Sequence, residues 1–299
     1  MENAPRIIET YPLAPIQQGI VFESLVSSRA VYLQQHILKL QEELSPEQLR
    51  QALQAVTARH PILRSAIVAN QAGGFDQAVY ETVPIPFQEI DLRRLDQAAQ
   101  DEQIRHFLDQ DRNQNFEPGI SPLLRTALLT LSQAEHILVL TFHHAIIDAR
   151  SYALFTSELF SIYDGSIARP EPQLEPPIPY RKYVEWIGQQ DLKQAELFWT
   201  AYLQDAGSPL PIDLADMRGD PGEDLVSISD LPNEVAKLVP TDTADRLRKL
   251  CEAENITLNT VFQAAWGLLI GRCCRASELT IGATRSCRRS ALNGKTGTL

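Results

Sequence analysis

The chain has 299 residues, 44% of them hydrophobic, and a formal net charge of −11 at pH 7. This length allows one large domain or two of ordinary size, and the composition is typical of a globular protein with a core. The acidic balance argues against a nucleic-acid partner, because phosphate binding needs a basic face. The sequence shows no signal peptide and no apolar run near the roughly 18 residues that span a membrane, which predicts a soluble, cytoplasmic protein.

The first half of the chain alternates between helical and extended patterns. Ser45 is a candidate N-cap, and Pro61 ends the helix that follows it. Gly73 and Gly74 join two strand-like runs into a predicted β-hairpin. In chain order, the patterns predict a helix over 45–60, hairpin strands over 62–69 and 77–82, a surface helix over 97–112, strands over 123–131 and 136–142, and a helix over 151–165.

A change of composition then marks a predicted domain boundary. The stretch 168–179 holds five prolines in twelve residues, which is typical of an extended linker. The predicted organisation is an N-terminal domain over 1–170, a Pro-rich linker over 171–179 and a second domain over 180–299. Later patterns predict helices over 180–204, 241–254 and 258–272 and a strand over 278–284. This order of elements indicates an α/β or α+β fold.

The segment FHHAIIDARS, residues 142–151, concentrates ionisable groups at the end of a buried strand. Successive side chains of a strand point to opposite faces, so His143 and His144 cannot easily bind one metal ion or share one task. Asp148 follows where the chain turns towards the next helix. Ligands and catalytic groups often collect at such turns.

Several interpretations of this segment stay open on the residues alone. The histidines could be core residues with satisfied hydrogen bonds. A zinc site would need histidines two apart on the strand, or further ligands nearby. A triad that uses Ser151 lacks a nucleophile elbow. The remaining interpretation is a single histidine base at the strand end, because an imidazole changes its charge near neutral pH.

The segment HHAIIDARS resembles the HHxxxDGxS motif of condensation domains from non-ribosomal peptide synthetases. Further blocks of that family are matched in the right order, and the resemblance covers nearly the whole chain up to Thr284. The matching blocks are YPLAPIQQGIVFESL (11–25), RHPILRS (59–65), FEPGISPLLR (116–125), YRKYVEW (180–186) and LNTVFQAAWGLLIGRCCRASELTIGAT (258–284).

This resemblance implies a fold and an activity. The fold would be α/β, with two chloramphenicol-acetyltransferase-like sandwich subdomains in a V arrangement and an active-site tunnel between them. The activity would be amide formation, in which the amine of an acceptor aminoacyl thioester attacks a donor thioester. The family implies no bound cofactor and no metal ion. The substrates would arrive on the 4′-phosphopantetheine arms of carrier proteins, with adenylation domains or other synthetase subunits as further partners.

The resemblance also implies roles for individual residues. His144 would lie in the tunnel, where it would take a proton from the attacking amine or position that amine and stabilise the tetrahedral intermediate. His143 would point the other way and support the strand. Asp148 would pair with Arg59 or Arg64 and so fix the turn, because a buried carboxylate needs a partner.

Two further positions of this motif carry expectations. Ser151 is expected to be a helix N-cap in preference to a substrate contact. Ala149 stands where the motif has glycine, and it would strain the turn if the turn needs a positive φ. At a negative φ, alanine would be harmless.

The chain has roughly two thirds of the length of a family domain, so the second subdomain is expected to be incomplete. An incomplete subdomain could be unstable alone or be completed by another chain. Two other functions therefore stay open. One is a non-catalytic module that docks carrier proteins, which the departure at Ala149 favours. The other is a stand-alone acyltransferase that uses coenzyme A or another free thioester.

Overall fold

The computed structural model describes residues 6–27, 31–167, 174–204, 206 and 238–284. Those up to Gln190 form one compact unit, and those from Asp191 onward form a second. None of the helices in these ranges is long and apolar enough to cross a bilayer.

Two β-sheets form the framework of the first unit. The three-stranded sheet is antiparallel, in the order β1-β4-β3, and contains β1 (Ile7–Pro12), β3 (Ser65–Ala69) and β4 (Phe75–Tyr80). The four-stranded sheet has the order β2-β7-β6-β5 and contains β2 (Leu33–Leu40), β5 (Phe87–Asp91), β6 (Leu124–Thr130) and β7 (His136–His143). Its only parallel pair is β5 with β6. The predicted hairpin and the predicted strand pair before His143 are both confirmed.

Five α-helices accompany these sheets. They are α1 (Pro15–Val26), α2 (Pro46–Arg59), α3 (Gln97–Asn113), α4 (Ala149–Ile167) and α5 (Arg181–Gly188), and a 3-10 turn, Pro61–Arg64, follows α2. The predicted N-cap of α2 is confirmed, because the Ser45 side chain accepts a hydrogen bond from the backbone N–H of Gln48. Sheets and helices together confirm the predicted mixed α/β class.

Strand β7 lies at the centre of the first unit and is paired with β2 on one side and β6 on the other. All eight of its residues are buried. Leu138, Leu140 and Phe142 join the core that contains side chains of α2 and α4, whereas Ile137 and Val139 face a smaller cluster with side chains of α3. Both faces are therefore covered, as the apolar sequence predicts, and the strand delivers His143 and His144 from a rigid support.

The helix predicted over 180–204 is divided in two. After α5 the chain turns, and α6 (Leu192–Tyr202) starts with Asp191 as its N-cap, whose carboxylate accepts the Gln194 backbone N–H at 3.0 Å. The continuous helix was a wrong prediction because Gly188 and a good N-cap residue interrupt the apolar pattern. Helix α5 belongs to the first unit, which extends to Gln190.

In its described part the second unit is helical. It contains α6, α7 (Thr241–Ala253) and α8 (Leu258–Cys274). The strand predicted over 278–284 is wrong, since these residues form neither strand nor helix. A strand needs a hydrogen-bonded neighbour, and no other strand is present among the described residues of this unit.

Candidate active site

The motif residues occupy a short loop between β7 and α4. His143 is the last residue of the strand, and the backbone N–H of Ile146 closes a turn onto its carbonyl at 3.1 Å. Helix α4 then begins at Ala149. The loop therefore turns within a few residues, and the two imidazoles meet different surroundings.

The ring of His143 is enclosed by protein, with 3% of the residue exposed. Its Nδ1 atom accepts the backbone N–H of Ala145 at 3.2 Å, so the proton of the neutral ring lies on Nε2. Nε2 donates to Ser24 Oγ at 3.1 Å. Burial, and next the charge of His144, lower the pKa of His143 to about 4. His143 is thus a neutral, hydrogen-bonded residue at neutral pH.

His144 is half-buried, and its hydrogen bonds define a different tautomer. Nδ1 lies 2.9 Å from the carbonyl oxygen of Ile147, which can only accept, so Nδ1 carries the proton. In the neutral ring, Nε2 then has a free lone pair, and no hydrogen bond occupies it in the described part of the chain. The backbone N–H of His144 donates to the carbonyl of Tyr32 at 2.7 Å. Because Nδ1 carries the proton, the neutral ring of His144 can accept a second proton at Nε2.

An aromatic group connects β2, β7 and α4. His36 of β2 stacks on Tyr152 of α4, with ring centroids 3.9 Å apart, and on Phe142 at 5.2 Å. Burial, and next the charge of His144, lower the pKa of His36. His36 is therefore close enough to His144 for their charges to interact, although its sequence context gives no sign of this.

Asp148 caps helix α4. One of its carboxylate oxygens accepts the backbone N–H of Ser151 and the hydroxyl of Ser151, each at 2.8 Å. Since the helix begins at Ala149, Asp148 holds the N-cap position and Ser151 is the third residue of the helix. The prediction that Ser151 is the N-cap is wrong, because Asp148 lies one residue before the first helical residue and its side chain accepts the backbone N–H of Ser151.

The predicted ion pair between Asp148 and Arg59 is also wrong. Arg59 ends α2, which packs along α4, and its Nε donates to Glu158 Oε2 at 3.0 Å. His60 bonds the same oxygen at 2.8 Å. Burial alone would raise the pKa of Glu158, but the hydrogen bonds from His60 and Arg59 outweigh it and lower that pKa. Arg59 thus connects the two helices through a glutamate that the sequence does not single out.

Arg64 does not bind Asp148 either, which corrects the second predicted pairing. Its guanidinium donates to the backbone carbonyls of Tyr80 and Glu81, at 2.7 Å for Glu81. These carbonyls lie at the end of β4. Burial lowers the pKa of Arg64. The second arginine of the RHPILRS block thus fixes the 3-10 turn to the three-stranded sheet.

Ala149 fits its position without strain. It is the first residue of α4. Among the described non-glycine residues, those with a positive φ are Tyr32, Asn255 and Arg275. The backbone at Ala149 therefore does not need glycine, and the harmless case considered for alanine is the one that the structure shows.

Gln17 of α1 is a polar contact of the loop that the sequence does not identify. It is 2% exposed. Its side-chain nitrogen donates to the carbonyl of Ala145 at 2.9 Å and to Gln77 at 3.2 Å. A glutamine in an amphipathic helix normally predicts a surface position. The signal that could have found it is its place in the opening block, residues 11–25.

Within the described segments, no three His, Cys, Asp or Glu side chains come together as metal ligands.

A family model described as the condensation domain matches residues 7–297 of the chain. This chain belongs to the condensation domain family. The resemblance seen in its motifs is thereby confirmed over nearly the full length.

Curated relatives of this condensation domain are named as synthase subunits. The chain is 33% identical over 290 residues to a linear gramicidin synthase protein of Brevibacillus parabrevis, and the match covers 96% of this chain and 6% of that protein. It is 30% identical over 300 residues to a plipastatin synthase protein of Bacillus subtilis strain 168, and this match covers 98% of this chain and 11% of that protein. The chain therefore corresponds to a small part of each relative.

Solved condensation domains share the fold. The first condensation domain of the calcium-dependent antibiotic synthetase, solved with a substrate analogue, matches with a TM-score of 0.69 and 21% identity, over 92% of this chain and 66% of that one. The starter condensation domain of rhizomide synthetase matches with a TM-score of 0.60 and 19% identity, over 68% and 50%. The likeness confirms the predicted mixed α/β fold of condensation domains, and about a third of the first of these solved chains is not covered by the match.

Proposed function

We propose that this condensation domain forms an amide bond between two substrates carried as thioesters, with His144 as the residue that handles the proton. The observation that carries the proposal is the hydrogen bond from Nδ1 of His144 to the carbonyl of Ile147 at 2.9 Å. That bond directs the lone pair of the neutral ring to Nε2. A positioned imidazole with a free lone pair is suited to general base catalysis.

In the proposed reaction, the amine of the acceptor attacks the carbonyl carbon of the donor thioester. A carbon–nitrogen bond forms, and the carbon–sulfur bond breaks when the tetrahedral intermediate collapses. The proton that the amine loses passes to Nε2 of His144 and then to the departing thiolate. The products are the extended amide on the acceptor arm and a free thiol on the donor arm, so no oxidant or metal ion is required.

The partners belong to the same proposal. The substrates would be bound to the 4′-phosphopantetheine arms of carrier proteins, and adenylation domains or other synthetase subunits would load them. The similarity to much longer synthase proteins supports this context. A cytoplasmic location and the division into subdomains over 1–170 and 180–299 are also part of the proposal.

The structure removes the reason that favoured a docking module without catalysis. That alternative rested on Ala149 in place of the motif glycine. Because Ala149 begins α4 without a positive φ, the substitution does not distort the loop that carries His144. The loop geometry therefore supports catalysis over docking alone.

The test is a condensation assay with purified carrier proteins. A panel of donor and acceptor carriers, each loaded with an amino acid, would be mixed with the wild-type chain or with His144→Ala. Mass spectrometry would detect the amide on the acceptor arm. We expect product with the wild type and a rate lower by about 100-fold or more with His144→Ala, because general base catalysis contributes that much.

Three results would contradict the proposal. Equal rates for the wild type and His144→Ala would exclude the role of His144. Carrier binding without product from any pair would favour the docking module. Transfer from a free acyl-coenzyme A in place of a loaded carrier would favour the stand-alone acyltransferase.

A further inference from the structure

We infer that helix α1 positions the proposed base, because Gln17 and Ser24 hold the loop that carries His144. The inference rests on the proposed function for its meaning in catalysis, but the geometry is independent of it. Both residues are positioning residues that act through the loop, and neither contacts a reacting atom.

Gln17 begins one chain of hydrogen bonds. Its side-chain oxygen accepts the backbone N–H of Ala14 at 3.0 Å, which fixes the amide group and leaves its nitrogen as the donor. That nitrogen donates to the carbonyl of Ala145 and to Gln77. Gln77 in turn donates to the hydroxyl of Ser65 at 2.6 Å. Donors and acceptors match at every step, so the chain has one consistent direction.

Ser24 belongs to a second series of hydrogen bonds, which runs from the loop to α1. The backbone N–H of Ala145 donates to His143 Nδ1, and His143 Nε2 donates to Ser24 Oγ. The hydroxyl of Ser24 then donates to the carbonyl of Ile20 at 2.7 Å. This direction requires a neutral His143, and the lowered pKa of that residue is consistent with it. The ring of His143 is thus a fixed connection between α1 and the loop.

The two series of hydrogen bonds meet at Ala145, the residue that follows His144. Gln17 binds the carbonyl of Ala145, and the His143 ring binds its N–H. The two peptide units directly after the Cα atom of His144 are therefore both held by hydrogen bonds that lead to α1. Buried polar networks of this kind restrict the backbone strongly when every member is satisfied.

The spacing on α1 explains why one helix can do this. Gln17 and Ser24 are seven residues apart, which is close to two turns of an α-helix, so their side chains lie on the same face. Two contacts from one rigid face fix both the position and the direction of the loop.

The experiment uses nuclear magnetic resonance on the full chain, with ¹⁵N-labelled histidine. The ring-nitrogen shifts of His144 report whether the proton stays on Nδ1. In Ser24→Ala and in Gln17→Met, we expect these shifts to move towards the mixed tautomers of a free histidine. In Ser24→Thr we expect wild-type shifts, because threonine keeps a hydroxyl that can bind both partners. His144→Gln identifies the signal of His144.

Gln18→Ala is the matched control. Gln18 is next to Gln17 on the same helix, but its side chain donates to the carbonyl of Leu13 at 3.2 Å and not to the loop. We expect its His144 shifts to equal those of the wild type. Thermal unfolding of each variant shows whether it is folded, and Ser24→Ala keeps the test decisive if the buried change Gln17→Met prevents folding.

Activity gives a second, separate readout. In the condensation assay, Ser24→Ala should lower kcat by about 10-fold or more with little change in KM, because misplaced catalytic groups slow the chemical step. Unchanged His144 shifts in folded Ser24→Ala would overturn the inference, whatever the activity. An inactive wild type with shifted variants would contradict the proposed function and leave the positioning role of α1 standing.

Discussion

At the scale of single residues, two adjacent histidines have opposite properties. The alternation of side chains along a strand predicts that His143 and His144 face different ways, and it needs only the sequence. Their hydrogen-bond partners could not be predicted. Ser24 lies far along the chain from His143, and the bond of His144 to Ile147 depends on the shape of the turn. Residue types predict the chemistry, whereas the path of the backbone through the turn decides the tautomer of each ring.

The buried state of His143 predicts how stability depends on pH. Its pKa is about 4 in the fold and about 6.5 in an unfolded chain, so the unfolded state binds more protons between these values. The neutral ring of His143 therefore costs the fold no stability well above pH 6.5, and the free energy of unfolding decreases as the pH falls from 6.5 towards 4. Between pH 6.5 and pH 5 we expect this residue to lower the free energy of unfolding by about 2 kcal/mol.

Urea unfolding at pH 7 and pH 5 measures this effect. The loss of stability between the two pH values should be smaller by about 2 kcal/mol in His143→Gln than in the wild type. His106, an exposed histidine of α3, supplies the control variant His106→Gln, which should keep the wild-type dependence. The same pH dependence in His143→Gln and in the wild type would show that His143 is not held neutral by the fold.

At the scale of elements, helix α4 shows what local patterns decide and what they leave open. The apolar spacing predicts a helix over 151–165, and the structure has one from Ala149 to Ile167. Aspartate and serine are both good N-cap residues, so the sequence offers two candidates for its start. Only the path of the backbone shows that Asp148 is the cap. The arginine partners were wrong for a related reason, because tertiary packing selects which carboxylate each arginine meets.

The contact between α2 and α4 predicts a large effect of Glu158. Its carboxylate binds Arg59 and His60 and is nearly buried. Glu158→Ala would remove the acceptor of the His60 ring and of Arg59 Nε, and removing one member of such a group costs several kcal/mol. We expect the free energy of unfolding to fall by about 2–4 kcal/mol, measured by urea denaturation at pH 7.

Asp164→Ala on the same helix is the control, since Asp164 is exposed. Its effect should stay within about 0.5 kcal/mol. Glu158→Gln keeps one acceptor oxygen, so its loss in the free energy of unfolding should lie between those of Glu158→Ala and Asp164→Ala. If Glu158→Ala were as stable as Asp164→Ala, the hydrogen bonds of Glu158 to Arg59 and His60 would not hold α2 and α4 together.

At the scale of the whole molecule, the two units differ in how much they bury. The first contains both sheets and nearly all of the buried side chains. In the described part of the second, Ile270 is the only buried residue, and α6 exposes large apolar side chains. These are Leu192, Leu197, Phe198, Trp199 and Tyr202.

Sequence patterns predict the helices of the second unit well but fail for elements that depend on distant partners. Helices α7 and α8 match the predicted ranges closely. The strand over 278–284 does not form, and β2 was not predicted. Strand β2 is a half-buried edge strand with polar residues such as Gln34 and Gln35, so it lacks the alternation that identifies strands.

This difference in burial predicts a difference in local stability. Hydrogen exchange followed by mass spectrometry should show faster exchange in α6, α7 and α8 than in β6 and β7. Elements with few buried contacts open at a lower free energy than core strands do. Equal protection of α8 and β7 in the isolated 299-residue chain would contradict this prediction.

The double pairing of β7 has a consequence for how this site can change in evolution. Because the strand is bonded to a neighbour on each side and buried on both faces, an inserted or deleted residue within it would turn every later side chain to the other face. His143 and His144 would then exchange environments, and the wrong imidazole would meet Ser24. Substitutions can accumulate in β7 if they keep its volume, but its length cannot drift. The number of residues in the strand is therefore as much a part of the site as the two histidines.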